Sequence, residues 1–185
     1  MNTYKVVLIG SVFVGKSSIA KNFLHNKFNS QTESTIGCSF FRKQLTINNQ
    51  TICLDIVDSA GSNRFHTLLP MYIKGAHAVL LVYDITSLES FNKIDYLLSE
   101  IKKNNNEAII MLVGNKLDLS NRIIMYEEGK LFAHDHDLLF RECSACTGVN
   151  ISDIFTEIAS ILIVKNPPLP KTIVLTPKKE KSCCY

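Results

Sequence analysis

Apolar residues fall into short runs separated by longer stretches of mixed polarity. The runs at 4–9 (Tyr4 to Ile9), 38–47, 51–57, 78–83, 108–113 and 138–142 predict β-strands. Val79-Leu80-Leu81-Val82-Tyr83 and Ala108-Ile109-Ile110-Met111-Leu112-Val113 are apolar throughout. That pattern suits strands covered on both faces in a parallel sheet. Asn48-Asn49-Gln50, between two strand-like runs, predicts a hairpin turn and therefore one antiparallel strand. Helical spacing fills 16–25, 66–73, 88–103, 127–135 and 151–164. In the last of these Ile151, Ile154, Phe155, Ile158, Ile161 and Leu162 share a face, and Ser152 or Asn150 is a candidate cap. Alternating strand and helix predicts a doubly wound α/β sheet. After Lys165, Asn166-Pro167-Pro168-Leu169-Pro170 cannot continue a helix. The expected organisation is one domain over residues 1–165 and a flexible tail over 166–185.

Composition narrows the class without choosing a function. The chain has 185 residues, 46% hydrophobic and 20% charged, ordinary for a globular domain able to bury a continuous core. A formal net charge of +3 is too small to argue for nucleic acid, which is not expected as a partner. The apolar stretch before Gly10 is too short for a signal-peptide core. No run approaches the roughly 18 residues that span a bilayer. The six cysteines are therefore expected to be reduced.

Gly10-Ser11-Val12-Phe13-Val14-Gly15-Lys16-Ser17 fits the pattern G-x-x-x-x-G-K-[ST], with a strand predicted before it and a helix after it. Backbone N–H groups of Val12, Phe13, Val14, Gly15, Lys16, Ser17 and Ser18 would face a phosphate, aided by the helix dipole. Lys16 would reach the β- and γ-phosphates, and the Ser17 hydroxyl would ligate Mg²⁺. The motif implies a nucleoside triphosphate and leaves the base open.

Asn115-Lys116-Leu117-Asp118, after a buried strand, addresses the base. Guanine presents two donors on one edge, which the Asp118 carboxylate can accept together. Adenine would leave that acceptor unpaired, and sites of this kind discriminate by about 10⁴ or more. The Lys116 stem would lie along the ring, and Ser144-Ala145-Cys146 would direct a backbone N–H at the guanine oxygen.

Asp58-Ser59-Ala60-Gly61 follows the third strand. Asp58 can hold Mg²⁺ through water, and Gly61 can donate its N–H to a γ-phosphate. Thr35, in Ser34-Thr35-Ile36-Gly37, can be a second direct Mg²⁺ ligand. With these motifs the sequence over about residues 4–164 resembles the Ras superfamily of P-loop GTPases, and most closely the Rab family. Ile36-Gly37-Cys38-Ser39-Phe40, Arg64-Phe65, Tyr72-Ile73-Lys74-Gly75-Ala76-His77 and Leu81-Val82-Tyr83-Asp84-Ile85-Thr86 carry the Rab likeness. The resemblance implies a G domain with a six-stranded, mostly parallel sheet and five helices, and Phe28 packed against the base. It also implies a GTP/GDP switch in vesicle trafficking, in which Thr35 and Gly61 hold both switch loops while the γ-phosphate is present. Implied partners are effectors that read the switches, an exchange factor, a GTPase-activating protein, an escort protein and a GDP-dissociation inhibitor.

Departures from the family pattern bear on catalysis. The family usually has Gly-Gln-Glu where this chain has Gly61-Ser62-Asn63, and the glutamine orients the attacking water. The Ser62 hydroxyl is too short for that role. Val12 stands where the family mostly has a small residue and crowds the space for a glutamine or an activator's arginine. Phe13 replaces another usually small residue, with its ring expected outward over the nucleotide. Cys146 replaces the usual lysine near the base, which weakens packing and not specificity. The expectation is tight nucleotide binding, with Lys16, Thr35, Gly61 and the degenerate position Ser62 supporting only weak intrinsic hydrolysis. One large class of Rab activators brings its own glutamine and arginine, so stimulated turnover remains compatible with Ser62. Two other readings stand beside this: a GTP-loaded binding module with essentially no hydrolysis, and a P-loop ATPase or nucleotide kinase, against which Asn115 to Asp118 argues.

The chain ends Lys181-Ser182-Cys183-Cys184-Tyr185, without cysteine fourth from the end. Cys183 and Cys184 resemble a Rab double-geranylgeranylation site, and two lipids give stable attachment where one is marginal. Lys178, Lys179 and Lys181 could meet anionic headgroups. The expected location is the cytoplasmic face of endomembranes or vesicles, cycling with the cytosol. Cys143-Ser144-Ala145-Cys146 and His134-Asp135-His136 read as loop sequence and not as metal sites, and His77 as a core histidine.

Overall fold

The computed structural model describes residues 2–25, 35, 37–61 and 67–165. In chain order these form β1 (Thr3–Gly10), α1 (Lys16–His25), β2 (Cys38–Ile47), β3 (Gln50–Ser59), α2 (Leu69–Ile73), β4 (Ala78–Asp84), α3 (Leu88–Asn92), α4 (Ile94–Asn104), β5 (Ile109–Asn115), α5 (Tyr126–Asp135), β6 (Leu139–Glu142) and α6 (Ile151–Lys165). The sheet runs β2-β3-β1-β4-β5-β6, with β2 antiparallel to β3 and the remaining pairs parallel. That is the expected α/β architecture. The helix expected over 88–103 is α3 and α4, which meet at Lys93; Lys93 itself keeps helical dihedrals (φ −79°, ψ −10°), so the two form one of five helical stretches among the described residues.

The period-2 geometry of the strands sorts their side chains into two cores. On one face Val6, Leu8, Leu80, Val82, Met111 and Val113 pack against Ile19, Phe23, Phe155 and Ile158 of α1 and α6. Phe23 and Phe155 stack with ring centroids 3.8 Å apart. On the other face Val7, Ile9, Val79, Leu81, Tyr83 and Leu112 meet Ile73, Ile94, Leu97, Leu98, Ile101 and Ala133 from α2, α4 and α5. The continuous apolar runs of β4 and β5 are thus explained by cover on both faces.

Local chemistry sets the connections. Asn48 and Asn49 both take positive φ (48° and 62°), as a two-residue hairpin turn requires, and Ile47 pairs with Gln50 across it. Ser87 caps α3, its hydroxyl accepting from the Ser90 N–H at 3.2 Å. At α6 neither predicted cap holds. Ser152 lies inside the helix, and the Asn150 side chain donates instead to the Glu142 carbonyl at 2.8 Å, fastening the helix start to β6. His77 is exposed, not a core residue; its Nδ1 accepts from the Lys5 N–H at 3.0 Å and its ring packs edge-on to Tyr4.

β1 sits between β3 and β4, so the connections after β1 and β3 leave toward opposite sides of the sheet. A crevice beyond the carboxyl ends of the strands, at such a reversal, is where open α/β sheets bind ligands.

Candidate functional site

The loop between β1 and α1 is held at both ends by buried polar contacts. Lys16 is only 5% exposed, and its ammonium donates to the carbonyls of Gly10 at 2.9 Å and Ser11 at 2.7 Å. Burial pushes its pKa down to about 8, while the Asp58 carboxylate pulls it the other way. Phosphate oxygens would supply the negative charge that this ammonium lacks. On the far side Val14 is buried, and its carbonyl accepts from Asn115 Nδ2 at 2.8 Å. Gly15 has φ 96°, and a Cβ there would lie 2.2 Å from Asn115 Nδ2, so the close approach needs glycine. Ser17 and Ser18, in the first turn of α1, are half-buried. Val12 and Phe13 face outward, Phe13 at 71% exposure and φ 63°. The outward Phe13 ring agrees with the sequence expectation.

The predicted Mg²⁺ ligands converge. Ser17 Oγ and Thr35 Oγ1 are 2.8 Å apart. Asp58, at the end of β3, is buried, and its Oδ1 has no hydrogen-bond partner among the described residues. Burial raises the Asp58 pKa; the Ser17 hydroxyl, then Lys16 and Lys21, oppose the rise. Two hydroxyls beside a carboxylate with a vacant lone pair form an all-oxygen donor set that fits a hard divalent cation such as Mg²⁺. Gly61 closes the same space: a Cβ on it would come within 2.4 Å of the Ser11 carbonyl oxygen and 2.5 Å of Lys16 Nζ. Its backbone therefore borders the position that a terminal phosphate would take.

The base loops are cross-braced. Asn115 accepts from the Ala145 N–H at 3.0 Å while its amide donates to Val14, joining the phosphate loop to the loop after β6. Ser144 Oγ donates to Asp118 Oδ1 at 2.5 Å and accepts from the Thr147 N–H at 3.0 Å. Ser144 thus holds the Asp118 carboxylate through one of its two oxygens. Lys116, at φ 73°, pairs through Nζ with Asp84 Oδ2 at 2.6 Å. Arg122 and Glu142 make a bidentate pair at 2.7 Å that ties the loop beyond Asp118 to β6. Cys146 is exposed, whereas Cys143 is buried, with its thiol pKa driven up first by burial and then by Glu142 and Asp118.

The structure thus gathers Lys16, Ser17, Thr35, Asp58 and Gly61 in one group and braces Asn115, Asp118, Ser144 and Ala145 in another. Phe28, Ser62, Cys183 and Cys184 lie outside the described residues. Sequence reasoning missed Asp84, which anchors Lys116 and accepts from the Thr86 N–H and hydroxyl at 2.8 Å and 2.7 Å. The Asp-x-Thr spacing after β4 is the signal that could have found this turn. It also missed Asn22 on α1, whose amide donates to the Ala145 carbonyl at 3.1 Å. No local pattern marks that contact.

Comparison with known proteins agrees with the geometry. The model of the Ras family matches residues 5–163. The chain is 42% identical over 188 aligned positions to the Ras-related protein Rab5 of Nicotiana tabacum, covering 97% of this chain and 94% of that protein. It is 42% identical to the Ras-related protein Rab5A of Oryza sativa subsp. japonica, over 86% of this chain and 79% of that protein. It is 39% identical to the Ras-related protein RABF2a of Arabidopsis thaliana, over 97% and 94%. By the family match and these relatives the chain belongs to the Ras family as a Rab-type small GTPase, a GTP/GDP switch of membrane trafficking.

Proposed function

We propose that this GTPase holds guanine nucleotide tightly and hydrolyses GTP very slowly without an activator. In this reading the backbone of residues 12–18 cradles the phosphates and Asp118 reads guanine, helped by the Ala145 N–H and by Lys116 and Phe28 at the ring. Ser17 and Thr35 ligate Mg²⁺ directly, and Asp58 holds it through water. The observation that supports it best is the meeting of Ser17 and Thr35 at 2.8 Å beside a buried Asp58 oxygen without a partner. That arrangement sets Thr35 against Ser17, the contact a bound γ-phosphate and Mg²⁺ would reinforce. Two residues argue for slow hydrolysis. Ser62 cannot position water as glutamine does, and Val12, 40% exposed on the outer side of the loop, narrows the approach to it.

In the same reading residues 1–165 are the switch and residues 166–185 a tail carrying geranylgeranyl groups on Cys183 and Cys184. The lipids place the protein on the cytoplasmic face of endomembranes. Escort protein and GDP-dissociation inhibitor handle the lipidated form, while effectors, exchange factor and GTPase-activating protein act at the switch face.

Single-turnover hydrolysis by the Mg²⁺-loaded protein tests the catalytic part. The proposal expects a rate below about 10⁻⁴ s⁻¹, rising several-fold in the double variant Ser62→Gln, Val12→Gly. A wild-type rate at or above that figure would mean that both residues are tolerated and the cycle is ordinary. A double variant no faster than wild type would remove them as the cause.

A further inference from the structure

Besides Lys16, α1 buries one polar side chain, Asn22. It lies one turn on from Ile19 and beside Phe23, both in the core, and is 7% exposed. Helical spacing would suit an apolar residue there, since a buried amide costs free energy unless its hydrogen bonds are made. Asn22 Nδ2 donates to the Ala145 carbonyl at 3.1 Å.

Ala145 is held at both of its backbone groups. Its N–H donates to Asn115 Oδ1 at 3.0 Å, and Asn115 Nδ2 donates to the Val14 carbonyl at 2.8 Å. Val14 leads through Gly15 into α1, so three buried hydrogen bonds and the covalent chain close a circuit from Val14 through Asn22, Ala145 and Asn115. The loop after β6 is also folded on itself: the Ser144 N–H donates to the Val149 carbonyl at 3.1 Å and the Gly148 N–H to the Ser144 carbonyl at 2.8 Å. That turn seats on α1, where a Cβ on Gly148 would lie 3.5 Å from Asn22 Oδ1.

We infer that Asn22 is a positioning residue for base recognition. It fixes the loop after β6 to the helix that begins at Lys16 and so sets how well the N–H groups of that loop meet the guanine oxygen. This rests on reading that loop as part of the base site. Without the amide, the Ala145 carbonyl loses its donor from α1, and the loop shifts to regain a partner.

The test uses the full chain with Mg²⁺ and a fluorescent GDP analogue, displaced by GDP or by 6-thioguanosine diphosphate. Sulfur in place of the guanine oxygen accepts hydrogen bonds poorly, while the two donors that face Asp118 are kept. Wild type should bind GDP about tenfold more tightly than the thio analogue. In Asn22→Leu and Asn22→Asp, which keep roughly the size of asparagine without its donor, that preference should fall to about twofold. The ratio is the readout because a general loosening of the fold weakens both nucleotides alike and leaves it unmoved. A wild-type ratio in both variants overturns the inference, even if both affinities drop, and makes Asn22 a packing residue. A fall in Asn22→Asp alone belongs to the added charge and overturns it as well. A wild-type chain that binds the two nucleotides alike overturns it together with the reading of the loop as base site.

Discussion

A glycine inside a helix ordinarily costs about 1 kcal/mol relative to alanine. Gly129 lies within α5, yet a Cβ there would fall 2.4 Å from Tyr83 Oη and 2.8 Å from the Phe140 ring. Contact outweighs propensity at this position. Gly129→Ala is expected to lower stability by about 1–3 kcal/mol in urea unfolding; a gain would show that the ring layer yields freely. Tyr83 itself is fully buried with no hydrogen-bond partner for its hydroxyl among the described residues, and burial raises its pKa. Removing that hydroxyl also opens space at Gly114, where a Cβ would lie 2.8 Å from it. Tyr83→Phe should therefore be within about 1 kcal/mol of wild type or more stable, since a buried hydroxyl without a partner carries a desolvation cost.

At the scale of elements, the strands were the most legible. Val79 to Tyr83 and Ile109 to Val113 are apolar at every position because helices cover both faces of β4 and β5, and local composition records that burial directly. What local pattern could not give was which polar side chain reaches a distant backbone. Asn115 was read as part of the base site, yet its amide spans from Val14 to Ala145, and Asn150 was read as a cap but fastens α6 to β6. An asparagine presents a donor and an acceptor, and only the assembled sheet decides where each goes. The expected helix over 66–73 is described as α2 only from Leu69, with Pro70 in its first turn, where the missing N–H costs nothing. His77 misled for a related reason: its place beside the fourth strand suggested a core position, but it is exposed and its ring accepts from the Lys5 N–H of β1. Desolvation, then the Lys5 ammonium, lowers its pKa. Because the folded pKa lies below the unfolded value, the unfolded chain takes up the proton first. Stability from this group is thus intact above about pH 6.5 and falls as pH drops below it. Protonation would also cost Nδ1 its role as acceptor. The loss of melting temperature between pH 7.5 and 5.5 should be smaller in His77→Asn than in wild type; equal losses would remove His77 as a source of acid sensitivity.

At the scale of the whole molecule, the strand order brings loops that are distant in sequence to one edge of the sheet. Lys16 follows β1, Asp58 ends β3, Asp84 and Asn115 end β4 and β5, and Ser144 follows β6. One ligand spanning that edge would couple them all, which is how a small chemical change at a phosphate becomes a change of surface. On the proposed reading Mg²⁺ would belong to the coupling, because Ser17 and Asp58 come from α1 and β3 whereas Thr35 precedes β2 in the chain. Chelating Mg²⁺ should speed nucleotide release by at least tenfold, read with the same fluorescent GDP analogue; an unchanged rate would mean these oxygens hold no ion. The central claim, a guanine-specific switch, is tested most directly by competing GTP, ATP and xanthosine triphosphate for the wild-type protein and for Asp118→Asn. On the proposed reading the carboxylate would accept both donors of guanine, whereas an amide would offer a donor that matches the xanthine oxygen. Wild type should prefer GTP over ATP by about 10⁴ or more, and Asp118→Asn should shift preference toward xanthosine triphosphate by at least about 10². ATP bound as well as GTP, or a base preference unmoved by Asp118→Asn, would contradict the account.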